Sequence, residues 1–161
     1  EKNYTPQSIG ALEKALPQLN YSQILNALTI LCHLNIAQPC LDHAPSQQTI
    51  THSQNLNRHF LEETQFHQNY TVFASPHTGI GFQSEYFETL FLKAHFLEDL
   101  KTTKQYADYA QKALDHLGWQ IVEKGNSITD RKESLQHLQN KADDFIKSDK
   151  IKIVKQLQLF A

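Results

Sequence analysis

Cysteine is scarce: Cys32 and Cys40 are the only two in 161 residues. Two cysteines build no disulfide framework, and their scarcity fits a reducing, cytoplasmic setting. No apolar run is long enough to span a membrane, and no signal peptide or lipidation signal is present. A basic excess is missing too. Fifteen Lys and Arg stand against seventeen Asp and Glu, giving a formal charge of −2 with neutral histidine. That balance does not favour nucleic acid, which asks for a basic face. Methionine is absent and the chain begins at Glu1. It is therefore read as a piece of a longer polypeptide.

What remains is ordinary for a globular protein: 40% hydrophobic and 20% charged. Nine Phe, six Tyr and one Trp supply large core anchors. The length suits one ordinary domain or two small ones. Nine histidines are many, but they are scattered and read as surface residues, not as a pH switch.

Periodicity predicts a mainly α chain with minor β. Thr5-Pro6 reads as a helix start, with Ile9, Leu12, Ala15 and Leu16 at helical spacing and Pro17 as the stop. Ser22 reads as the cap of a second helix carrying Ile24, Leu25, Leu28, Leu31 and Cys32, with Asn35 as a left-handed stop. Ile36 to Pro39 looks extended, and Gln48 to Thr51 looks like a second wing strand. Residues 1–52 are thus expected to be partly winged-helix-like. Asp42 to Gln48 is the expected boundary. Residues 53–161 are expected to form a helical region with short strands, although one continuous domain fits as well.

In that region Ser53 reads as a helix cap, and Asn69 to Ser75 as a strand. Gly79 and Gly81 fall in a loop leading to a helix capped by Ser84. Thr102 or Thr103 starts a helix that Gly118 ends. Trp119 to Ile128 reads as a hairpin turning near Gly125 and Asn126. Thr129 or Asp130 caps the next helix, with Glu133 at the capping-box position. A last helix starts near Ser148 and Asp149.

The chemistry-bearing patterns are sparse. The glycine loop is neither a Walker A loop nor a Rossmann fingerprint, because Gln83 and Ser84 stand where a third glycine belongs. An anion nest at the Ser84 helix start is conceivable, but glycines serving backbone packing are the favoured reading. Cys40 and His43 have zinc-ligand spacing. Cys32, however, falls on an apolar helix face, where core cysteine is the better reading. No nucleophile elbow or His-Glu-x-x-His motif occurs. Glu62-Glu63, Asp143-Asp144 and Glu85 with Glu88 read as solvated helix faces. The helix from Ser22 to Leu34 lacks Arg and Lys, so it is poorly suited to DNA. The Lys147 to Lys155 run reads as the wet side of an amphipathic helix.

One larger pattern stands out. Leu56-Asn57-Arg58 is followed by Phe73-Ala74-Ser75-Pro76-His77-Thr78-Gly79-Ile80-Gly81 and then by Glu88-Thr89-Leu90-Phe91-Leu92. From about residue 20 on, this resembles the C-terminal region of bacterial predicted SAM-dependent methyltransferases that carry a methyltransferase regulatory domain. The bacterial outer-membrane-protein lysine methyltransferases are similar. His77 stands where that family often has an apolar residue.

The resemblance implies a parent with an N-terminal Rossmann-type domain that binds S-adenosylmethionine. This chain contains no such domain. Its implied role is non-catalytic and accessory, with no cofactor or metal of its own. The implied partners are its own methyltransferase domain, a protein substrate and a second copy of the chain; the composition read above predicts no membrane partner and disfavours nucleic acid. Asn57, Arg58, Ser75, Pro76, Thr78, Gly79 and Gly81 are the motif positions expected to matter. The alternative is a stand-alone winged-helix protein-interaction module.

Overall fold

Caps explain where the helices begin. In a computed structural model that describes residues 6–34, 36–123 and 125–161, α1 (Ile9–Ala15) starts after Ser8, whose hydroxyl accepts the Ala11 N–H. Thr5, the expected cap, lies outside the described residues. Next, α2 (Tyr21–His33) starts after Asn20, not at Ser22. Asn20 and Gln23 exchange side-chain-to-backbone bonds of 2.9 and 3.0 Å, and this capping box starts the helix two residues early. Asn35, the expected stop, lies outside the described residues.

The largest correction concerns the wing. Ser46 caps α3 (Gln47–Glu63) by accepting the Thr49 N–H. Gln48 to Thr51 are therefore helical, and no strand occurs among the described residues before Val72. The β-branched run Thr49-Ile50-Thr51 suggested a strand. Burial decides otherwise: Ile50, Asn57 and Leu61 recur at helical spacing along one buried face. Ser53 sits inside this helix, which also runs unbroken through residues 52 and 53.

Two three-residue strands follow, β1 (Val72–Ala74) and β2 (Gly81–Gln83), paired antiparallel with Phe73 opposite Phe82. Both phenylalanines are buried. The glycine loop thus joins two strands of a hairpin rather than a strand and a helix. Ser84 closes that hairpin by donating its N–H to Thr71 O at 2.8 Å. The cap of α4 (Tyr86–Phe96) is consequently Glu85, one residue later than expected. Glu88 accepts the Glu85 N–H at 2.9 Å and the Ser84 hydroxyl at 3.2 Å.

Thr102 caps α5 (Thr103–Leu117), and Gly118 ends it at φ 66°, a left-handed angle that glycine takes without strain. The hairpin of β3 (Ile121–Glu123) and β4 (Asn126–Ile128) follows; Lys124 lies outside the described residues. Asp130 caps α6 (Arg131–Lys147) by accepting the Glu133 N–H at 2.8 Å. A short α7 (Lys150–Gln156) and the tail complete the chain.

The core forms around α4. Six consecutive residues, Thr89 to Ala94, are buried, because α3, α5 and α6 all pack against it. Phe91 stacks on Tyr106 at 5.8 Å and meets Phe145 at 5.5 Å. Leu159 and Phe160 fold back into the same cluster, where Phe160 meets Phe73 and Phe96 at 5.1 Å each. The helix pair α1–α2 stands apart from this core. Its single buried residue is Ile24.

Candidate functional site

Asn57 organises the motif region. It is fully buried on α3. Its amide donates to Ala74 O at 2.8 Å and to Leu159 O at 2.9 Å. Its carbonyl oxygen accepts the Ala74 N–H at 2.7 Å. One side chain thereby ties α3, β1 and the C-terminal tail together. Buried amides are retained where they satisfy backbone groups that water cannot reach. Arg58, its neighbour, points the other way. It is exposed and pairs with Glu62 at 3.0 Å, one turn on.

The loop from Ser75 to Gly81 closes on itself. Ser75 donates its N–H to Ile80 O, and Gly79 donates to Ser75 O. The Thr78 N–H reaches the Ser75 hydroxyl, and the Ile80 N–H reaches the Thr78 hydroxyl. Four amides are thus engaged inside the loop. Ser75, Pro76 and Thr78 are buried. The two glycines serve packing. Gly79 takes φ 67°, and a Cβ there would meet Leu41 at 3.3 Å. A Cβ on Gly81 would lie 2.4 Å from Val72 Cγ1.

The loop is held by residues that precede and follow it at a distance in the chain. Leu41 donates its N–H to His77 O at 3.0 Å, and His77 Nε2 meets Gln158 Oε1 at 2.8 Å. Of the seven motif positions, six meet in this clamp and Arg58 stays outside it. The anion nest that is conceivable at the Ser84 helix start is disfavoured here. A nucleotide cradle needs free amides between a strand and a helix start. Here the amides of Ser75, Thr78, Gly79 and Ile80 are engaged inside the loop, and the helix start carries Glu85 and Glu88, whose charge repels an anion.

The remaining expected chemistry is dispersed. Cys32 is half-buried and Cys40 exposed. His43 pairs with Asp42 at 2.6 Å. Among the described residues, no group of three His, Cys, Asp or Glu is placed to hold a metal ion. Asp143 accepts bonds from Thr103 and Lys147, which hold its carboxyl below the usual range. No described helix is long and apolar enough to cross a membrane.

Three features escaped the sequence. Lys93 is buried, and its ammonium donates to Glu62 O at 2.9 Å near the α3 C-terminus. Burial pushes its pKa down, while the negative helix end favours the charge. His95 Nδ1 and the Tyr106 hydroxyl lie 2.6 Å apart. Burial lowers the His95 pKa and raises Tyr106 to about 12. A groove beside Trp119 collects Glu85, Tyr86, Phe87, Glu123, His137 and Lys141. Trp119 is the chain's sole tryptophan and was its one visible signal.

No known protein family, curated protein or solved structure matches the chain.

Proposed function

We propose that the chain is a non-catalytic accessory C-terminal region of a SAM-dependent protein methyltransferase, shaping substrate recognition or assembly. The motif resemblance suggests the parent. The surface of α2 supports the accessory role. From Tyr21 to His33 this helix has no Asp, Glu, Lys or Arg. Tyr21, Leu25, Ile30, Leu34 and Ile36 are between 41% and 69% exposed. An uncharged helix with apolar residues on several sides is normally buried by something. In this reading α1 and α2 are the helical part of a winged-helix-like segment, and their cover is the catalytic domain of the same polypeptide.

The same face would serve a stand-alone protein-interaction module. The coding sequence upstream of Glu1 separates the two readings. An in-frame domain with a glycine-rich SAM loop is expected. Calorimetry should then find S-adenosylmethionine bound by the full-length protein and not by this chain. An initiator codon just upstream, or SAM binding by the chain alone, would contradict the proposal.

A further inference from the structure

A groove of about 1010 Å³ runs beside the second hairpin, and no residue of the Ser75 to Gly81 loop lines it. Among the described residues the hairpin has two strands, and β4 packs on α6. Five consecutive residues, Trp119 to Glu123, line the groove. Side chains alternate between faces along a strand, so this unbroken run, of which Ile121 to Glu123 are β3, follows the strand, and Ser127 of β4, opposite Val122, lines the groove as well. The facing wall is the start of α4, where Tyr86 meets Trp119 at 6.0 Å. An unpaired strand edge offers N–H and C=O groups to an added strand.

Charge selects the occupant. The groove shares Glu85, Phe87 and Lys141 with a second hollow of about 320 Å³, which Glu88 and Asp144 also line. Lys150 neutralises Glu88, and His137 sits 3.3 Å from Glu123. Lys141 lies over the Phe87 ring at 5.6 Å. The groove itself holds Glu85 and Glu123 against Lys141, and with the adjoining Glu88 and Asp144 the carboxylates outnumber Lys141 and Lys150. Aromatic faces beside surplus carboxylates suit Lys or Arg side chains, whose stems lie on rings while their heads reach the acids.

We infer that this groove takes an extended basic peptide segment as a third strand on β3. Its cationic side chains lie on Tyr86 and Trp119 and reach Glu85 and Glu123. The inference does not depend on the methyltransferase reading.

The test uses Trp119 as its own reporter. The folded chain is titrated with a blocked Thr-Val-Lys-Val-Lys-Val-Thr peptide, following tryptophan emission and the backbone amide shifts of residues 119–123. Saturable binding is expected. It should weaken at least about tenfold, or about 1.4 kcal/mol, when Glu replaces Lys in the peptide. A similar loss is expected in the doubly substituted chain, Glu85→Gln with Glu123→Gln, checked for folding by circular dichroism. Backbone N-methylation of the peptide should abolish binding. Equal affinity for the Lys and Glu peptides would overturn the inference. So would unmoved amides at millimolar peptide, or a dimer in sedimentation that protects Trp119, which would make a second copy the occupant.

Discussion

The α1–α2 pair and the body from α3 onward are built from similar apolar residues, yet they end in opposite states. In the body, α4 has six consecutive buried residues, with helices on several sides. In the pair, α2 is comparably apolar but keeps one buried side chain, Ile24. Helical periodicity alone does not make a core. Burial needs facing elements, and α2 meets mainly α1 and the solvent. The body buries its apolar faces against its own elements, whereas α2 leaves Tyr21, Leu25 and Ile30 exposed.

Breaking the body should cost most. Phe91→Ala removes a ring packed against Tyr106 and Phe145 and should destabilise by about 4 kcal/mol in urea unfolding. Asn57→Ala leaves Ala74 N, Ala74 O and Leu159 O without their partner. It should cost roughly 3 kcal/mol by the same measurement, and a loss below about 0.5 kcal/mol would remove Asn57 as the clamp. Gly81→Ala places a methyl against Val72 and should cost about 2 kcal/mol. Combining it with Val72→Ala should recover much of that loss.

The pH prediction also separates the two regions. His95 sits in the body, facing Tyr106 on α5, with Lys101, Asp99 and Lys155 nearby. Its folded pKa is lowered below 6.5, chiefly by burial and further by Lys101 and Lys155. The unfolded chain therefore binds this proton first as pH falls. The stability it contributes is full above pH 6.5 and is lost as pH drops through 6.5 and then the folded pKa. Unfolding midpoints between pH 7.5 and 5 should fall, and His95→Gln should flatten that fall. The smallest effect is expected on α2. Ile30→Ser should change stability by less than about 0.5 kcal/mol, because Ile30 is 60% exposed. Under the accessory-region proposal it should nevertheless weaken association with the proposed methyltransferase domain.

Much of the body was legible where local signals agreed. Thr102, the stripe Tyr106, Ala110, Ala113 and Leu114, and Gly118 set α5 without help from distant residues. Gly125 and Asn126 marked the second hairpin in the same way. The misses came where tertiary contacts decided. Ser84 looks like a cap, but its N–H is committed to Thr71. Thr49-Ile50-Thr51 looks like strand, but Ser46 and the buried face of α3 make it helix. Asn57 and the glycines were visible as a motif. Their clamp was not, because its partners Leu41, Ala74, Gln158 and Leu159 are spread across the chain. Of the groove only Trp119 stood out, for the same reason.

Native-state hydrogen exchange tests the central contrast most directly. In the isolated chain, amides of residues 89–94 should exchange only through global unfolding. Amides of α2 should open at far lower free energy. In the full-length protein α2 should gain protection while α4 stays unchanged. Equal protection of α2 and α4 in the isolated chain, or no gain on α2 in the full-length protein, would contradict the account.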